Sequence, residues 1–163
     1  MTRRLFLGLG KALGLLLAAG AALPPALFWW RSARVGKQPE RWIDLGLARK
    51  IPEGEWLENR FSFERRNRWR QEVTEEMVYL RRDDRRIRIL SPVCPHARCL
   101  VQTTDDGFAC RCHRSFFDAD GAVIEGPSPR ALDALEWKVE RGHLKVKYQE
   151  FRPGEREPEV LSG

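Results

Sequence analysis

The chain has 163 residues, 32% of them charged and 42% hydrophobic, which suits one small globular domain with an added segment and excludes a multi-span membrane protein. Its formal net charge is +6, and Arg3, Arg4 and Lys11 supply half of it. Too little positive charge remains elsewhere to argue for a nucleic-acid binder.

The first element is apolar. Residues 12–30, "ALGLLLAAGAALPPALFWW", run for nineteen positions without a charge. As a helix they would span about 28 Å, close to the hydrocarbon thickness of a bilayer. Trp29 and Trp30 end the run where an interfacial aromatic belt belongs, and Arg31 and Arg34 follow. Pro24 and Pro25 should kink or end such a helix. "TRRLFL" is similar to the twin-arginine export signal, in which paired arginines precede a hydrophobic stretch. Residues 1–30 are therefore expected to be a signal-like transmembrane anchor, with Ala19-Gly20-Ala21 offering a cleavage site as the rival reading. Residues 31–41 are polar, hold Gly36 and Pro39, lack apolar periodicity and read as a flexible linker.

From Trp42 onward the pattern is that of strands. "WIDLGLA", "RFSFERR", "EMVYLRR" and "RIRILSPV" are short runs rich in Ile, Val, Phe and Tyr, several of them alternating. "FDADGAVIEG" and "LEWKVERGHLKVKY" follow, with Asp120-Gly121 and Arg141-Gly142 as hairpin turns. The arginine runs over 65–70 and 81–88 alternate with Glu64, Glu72, Asp83 and Asp84 and read as a solvated strand–turn surface. No amphipathic helix follows the anchor. A small antiparallel β domain over 42–150 is predicted, with 151–163 as a C-terminal tail.

Two boxes carry the chemistry. "CPHARC" at 94–99 and "CRCHRS" at 110–115 hold all four cysteines and two of the three histidines. Zinc would take four of these six donors, and disulfides alone would ignore the imidazoles. An iron–sulfur cluster with two thiolates on one iron and two imidazoles on the other accounts for more of them. Cys94 with His96, and Cys110 with His113, would supply that set from two loops. Cys99 and Cys112 are then left as a matched pair, which an oxidising compartment would permit to bridge. The third histidine, His143, lies in "RGHLKV" and reads as a solvent-facing strand residue.

The boxes resemble those of Rieske iron–sulfur proteins, specifically the subfamily found in quinol:cytochrome c oxidoreductases of the cytochrome bc type. "GPSPRAL", 126–132, resembles that subfamily's proline loop, which covers the cluster from a third side. The resemblance implies an all-β Rieske-type antiparallel domain with an inserted cluster-binding subdomain, preceded by one transmembrane helix. It implies one Rieske [2Fe-2S] cluster per chain, with Cys94 and Cys110 on the buried iron and His96 and His113 on the outer one. It also implies a Cys99–Cys112 disulfide, and a Ser115 hydroxyl given to a bridging sulfide.

The function implied is electron transfer within a membrane complex. One electron and a coupled proton would pass from quinol, and the electron would go on to a c-type cytochrome. Each ligating imidazole keeps a second ring nitrogen that can hold or release a proton, and by resemblance His113 is the quinol-facing one, with His96 beside it. The implied partners are a cytochrome b subunit and a c-type cytochrome. The implied location is the bacterial inner membrane, single-pass, with the β domain on the outer, periplasmic side. The small Rieske subunit of an arsenite-oxidase-like molybdoenzyme is the alternative reading.

The chain departs from the family's pattern at three positions. Arg98 and Arg114 stand where glycine is usual, so a positive φ there would cost about 1–2 kcal/mol each. Their guanidinium groups would sit near the cluster tip and favour its reduced state. Phe117 stands where high-potential members have a tyrosine bonded to a ligating sulfur, which implies a lower potential and favours menaquinol as the donor.

Overall fold

Alternation of apolar and polar residues shapes the strands of this chain. A computed structural model describes residues 27–30, 40–67, 70–84 and 86–162, and the chain divides into two units, Met1–Gln38 and Pro39–Gly163. In the first, residues 27–30 form a helical turn. The rest of the expected anchor, and the linker up to residue 39, lie outside the described residues. Among those described, no helix is long and apolar enough to cross a membrane.

The second unit holds twelve described strands: β1 (Trp42–Leu47), β2 (Leu57–Asn67), β3 (Arg70–Asp83), β4 (Arg86–Leu90), β5 (Gln102–Thr104), β6 (Gly107–Cys110), β7 (Ser115–Asp118), β8 (Val123–Glu125), β9 (Trp137–Glu140), β10 (His143–Lys147), β11 (Glu150–Phe151) and β12 (Val160–Ser162). All pair antiparallel, in the orders β1-β10-β9, β2-β3-β4, β5-β6-β7-β8 and β11-β12. The predicted all-β antiparallel domain is what forms. Both predicted turns are present. His143 pairs with Glu140 across Arg141 and Gly142, which both take positive φ as a two-residue hairpin loop requires. The Asp120-Gly121 turn closes with the Gly121 N–H donating to the Asp118 carbonyl at 3.0 Å.

Two three-stranded sheets share one core. Leu144 and Val146 in β10 alternate with Lys145 and Lys147, so one face is apolar and meets Val78 and Leu80 of β3 and Ile89 of β4. Phe61, Phe63 and Tyr148 close that core, with ring centroids of Phe61 and Tyr148 5.4 Å apart.

The four-stranded sheet β5–β8 is an insertion between β4 and β9. Its entry and exit lie side by side. The Ser91 N–H donates to the Asp133 carbonyl at 2.8 Å and the Leu135 N–H to the Ile89 carbonyl at 2.9 Å. A second core, of Tyr79, Leu90, Cys94, Val101, Phe108, Cys110, Phe117 and Leu132, joins the insertion to the base. Arg81 and Arg88 are not simply solvated, as the arginine run suggested. Both lie against Trp56 and both pair with Asp83 at 2.7 Å, while the Trp56 indole N–H donates to the Ala119 carbonyl at 2.9 Å. Mixed charge in a strand pair thus serves as a seam between base and insertion.

Residues 151–163 were read as a tail. Over the described residues they turn back on themselves, with Phe151 opposite Val160 and the Arg152 N–H donating to the Glu159 carbonyl at 2.8 Å. The apolar pair Phe151 and Val160 sits at the base of this turn, a signal too short to stand out in sequence.

Tyr79 is fully buried, and its hydroxyl donates to the Val101 carbonyl at 2.9 Å, tying β3 to the insertion. Burial pushes its phenol from 10.0 up to about 12. The unfolded chain therefore loses this proton first, so the contribution is whole below pH 10 and is lost as pH rises through 12. Tyr79→Phe should lower stability in urea unfolding at neutral pH by about 1 kcal/mol. It should also flatten the part of the alkaline decline that Tyr79 causes.

Candidate metal centre

Three loops meet at the end of the insertion. The first, 92–101, is closed on itself. The Cys94 N–H donates to the Cys99 carbonyl at 2.8 Å, the Arg98 N–H to the Cys94 carbonyl at 3.0 Å, and the Val101 N–H to the Pro92 carbonyl at 2.8 Å. The second, 110–115, caps the β6–β7 hairpin, where Cys110 pairs with Ser115. A disulfide between Cys99 and Cys112, with Cα atoms 6.5 Å apart, joins them. The Cys110 sulfur lies within 4.8 Å of both bridge sulfurs. That trio is no metal site, because two of its sulfurs are bonded to each other.

The remaining donors fall into two tiers. Cys94 and Cys110 are free thiols, each 1% exposed. Burial pushes the Cys94 thiol up and the neighbouring Cys110 adds to this, while the backbone N–H groups of His96 and Ala97 pull the other way by donating to the sulfur. Those two amides are placed to favour a thiolate once a cation compensates its charge. The His96 and His113 rings stand 4.8 Å apart and nearly perpendicular, at 88°. His113 is exposed and His96 half-buried.

Two buried polar atoms here have no hydrogen-bond partner, His96 Nδ1 and Ser115 Oγ. Such atoms are rare in folded proteins and call for a partner the chain does not supply. A cluster seated between the sulfurs and the rings would take both, the imidazole nitrogen as a ligand and the serine hydroxyl as a donor to sulfide. Two buried thiols, two clustered imidazoles and these two orphaned atoms fit a mixed thiolate–imidazole iron–sulfur group. They do not fit a zinc site so well, since zinc has no use for the Ser115 hydroxyl.

The third loop, 126–132, covers this end from the side. Gly126 takes φ +106, and a Cβ there would run into the Arg114 carbonyl oxygen and the Ser115 Cα. Only glycine lets this loop lie directly on the second loop's backbone. The loop is tied down through its own Arg130, whose side chain is buried and bonds both carboxylate oxygens of Asp133 at 2.8 Å. Arg130 also donates to the carbonyls of Arg152 and Glu155.

Arg98 and Arg114 take φ of 62° and 56°. The positions where glycine was expected are indeed left-handed, and arginine bears the strain. The Arg98 guanidinium pairs with Glu150 at 2.8 Å. Arg114 is exposed and has no ion pair among the described residues. His143 lies outside the three loops, in β10, with its Nδ1 3.0 Å from an Asp44 oxygen. Sequence reasoning missed Arg130, Asp133 and Glu150. Nothing in a single sequence separates them from other surface charges.

An antiparallel β base, an inserted loop-bearing sheet and a Cys2His2 donor set beside a disulfide define a small iron–sulfur electron-transfer protein. The chain belongs to the Rieske [2Fe-2S] domain family, whose model matches residues 41–136, and its cofactor is a [2Fe-2S] cluster. It is 34% identical over 71 residues to the cytochrome b6-f complex iron-sulfur subunit 1 of Nostoc, and 37% identical over 59 residues to the corresponding subunit of Chlorobaculum tepidum. These alignments cover 40% of each chain in the first case, and 35% of this chain and 33% of the relative in the second. The chain thus spans well under half the length of the curated relatives it matches. Among solved structures it is similar to a plasma membrane Rieske protein from Synechocystis, with 21% identity and a TM-score of 0.42 over 65% of this chain and 99% of that one. It is also similar to a chain of a hyperthermophilic respiratory Complex III, with 22% identity and a TM-score of 0.41 over 88% and 99%.

Replacing Cys99 and Cys112 together by serine should leave a spectroscopically recognisable cluster on a less stable domain. The expected loss is about 2–4 kcal/mol in chemical unfolding. Disappearance of iron from a normally folded domain would instead make these sulfurs ligands.

Proposed function

We propose that the chain is the Rieske electron-transfer subunit of a quinol:cytochrome c oxidoreductase, active only within that complex. The reading rests above all on the donors gathered in the two boxes, two buried thiols and a pair of adjoining imidazoles of which His113 is exposed. In it Cys94 and Cys110 hold the inner iron, and His96 and His113 hold the outer one. The two relatives reported above are named as subunits of cytochrome b6-f complexes, which favours such an assembly.

When bound, the [2Fe-2S] cluster supplies one-electron chemistry, at a potential raised by two neutral imidazoles in place of thiolates. The chain's own residues do the rest. His113, the more exposed ring, meets the quinol hydroxyl with its outer ring nitrogen and takes the proton there. His96 flanks it, its buried Nδ1 facing inward. Pro92 and Pro95 beneath the first loop, and the proline loop at the side, keep water from the sulfurs. Residues 1–30 anchor the chain in the membrane with the β domain on the outer face, and 31–41 tether the domain while it delivers the electron to a c-type cytochrome.

Affinity purification of the full chain from detergent-solubilised membranes tests the assembly. Recovery with a cytochrome b subunit is expected, and recovery with a molybdopterin subunit would replace this reading with the arsenite-oxidase-like one. The route outward is tested by Arg3→Lys together with Arg4→Lys, which should hold the chain on the inner side. Unchanged export through that variant would remove the twin-arginine reading.

Phe117 sets the donor in this reading. It is 2% exposed and packs in the same apolar cluster as Cys94 and Cys110, so a hydroxyl added to its ring would enter the sulfurs' surroundings. A hydrogen bond to a charged acceptor is worth about 1.5 kcal/mol, and about 1.4 kcal/mol is some 59 mV for one electron. Phe117→Tyr should therefore raise the midpoint by several tens of millivolts in voltammetry. The native phenylalanine leaves the midpoint low, which suits menaquinol. A midpoint that stays put with the cluster intact would show that residue 117 does not face a ligating sulfur.

A further inference from the structure

Glu150 stands at a junction that the electron-transfer reading does not use. It begins β11, and its side chain is 18% exposed. One carboxylate oxygen accepts from Arg98 Nη2 at 2.8 Å, and the other accepts from Arg65 Nη2 of β2. Burial pushes the Glu150 carboxyl up, but the two guanidiniums outweigh this and hold it below its ordinary value. It is a carboxylate at neutral pH.

What Glu150 grips is an unusual residue. Arg98 lies two positions after His96 and one before Cys99, and holds φ 62°. A non-glycine residue keeps that conformation only where its surroundings fix it. Its backbone N–H is fixed by the Cys94 carbonyl within the loop, and its side chain, among the described residues, by Glu150. Four residues on, the Gly154 N–H donates to the Pro95 carbonyl at 2.8 Å, a second tie between the same segment and the same loop. Farther along, the carbonyls of Arg152 and Glu155 accept from Arg130 of the proline loop. The segment after β10 therefore touches two of the three loops from behind.

We infer that residues 150–155 form a brace for the cluster loops, and that Glu150 is a positioning residue which holds Arg98 left-handed and thereby sets His96. The proposal rests on the ligand assignment above only in its last clause. A glycine at 98 adopts positive φ unaided and needs no anchor. An arginine there needs one, and Glu150 provides it from the folded base of the domain.

The test is a double-mutant cycle in the full chain, with Glu150→Gln, Arg98→Gly and the two combined. Two readouts are taken. Hydrogen exchange over 92–101 reports the loop itself, and the electron paramagnetic resonance g values of the reduced protein report the histidine geometry. Glu150→Gln should speed exchange of the Cys94 and Arg98 amides about tenfold, as loss of a charge-assisted hydrogen bond implies, and should shift the g values. In the Arg98→Gly background the same change should do neither, because glycine no longer depends on the anchor. Arg98→Gln breaks only the loop's half of the bridge and leaves Arg65 paired, so it should reproduce the faster exchange if Glu150→Gln does not fold. Equal effects of Glu150→Gln with arginine or glycine at 98 would overturn the proposal, as would unchanged exchange in Arg98→Gln. Changed exchange with no cluster signal in any variant, the native chain included, would leave the brace standing and count against the ligand assignment.

Discussion

The tip of this domain depends on holding two irregular loops side by side, which neither sheet pairing nor apolar packing can do alone. The loops 92–101 and 110–115 face each other with few ladder bonds between them, so the Cys99–Cys112 bond is the constraint that fixes their spacing. It closes a loop of thirteen residues' separation, which restricts the unfolded chain by about 3 kcal/mol. It also orders the site. Beside it Cys94 and Cys110 are buried free thiols, and His96 and His113 stand 4.8 Å apart.

Strain is placed beside that constraint. Arg98, beside the bridged Cys99, and Arg114, beside His113, both take left-handed backbone, at about 1–2 kcal/mol each relative to glycine. Against a net domain stability of roughly 5–15 kcal/mol this is not small. The surroundings compensate differently at the two positions. Arg98 is tied by its side chain to Glu150, whereas Arg114 is pinned through its backbone, with Gly126 of the proline loop lying directly on it. One strained residue is held by charge and the other by close approach of glycine.

Much of this was legible in the sequence, for identifiable reasons. Period-two alternation in "HLKVK" and the punctuation of Asp120-Gly121 and Arg141-Gly142 are local signals, and the sheet and its turns follow from them. The two boxes are legible because six sulfur and imidazole donors in so short a span have few other uses. What was not legible is long-range. Glu150 meets Arg98 across 52 residues and Arg130 meets the Glu155 carbonyl across 25, and no periodicity announces a charge pair of that kind. The same limit explains why 81–88 looked like plain solvated surface. Its arginines are organised by Trp56 and Asp120, one well before them in the chain and the other well after.

The structure also changes which groups tune the electron. From sequence, Arg98 and Arg114 both weigh toward reduction and partly offset the missing tyrosine hydroxyl. In the fold, Arg98 shares one carboxylate with Arg65, so the trio keeps a positive charge, and its side chain is 41% exposed. Arg114 is exposed, and a charge in water is screened within about 8–10 Å at ordinary salt. A buried hydroxyl bonded to a thiolate is not screened, and acts at contact distance. Ser115 has a fully buried hydroxyl that meets no other group among the described residues, which under the proposed function bonds a bridging sulfide to the same effect, and Phe117 supplies none. The balance therefore falls to the buried side of the cluster. Under the proposed function, that gives a potential lower than that of a chain with both hydroxyls, and a donor that gives up its electrons readily.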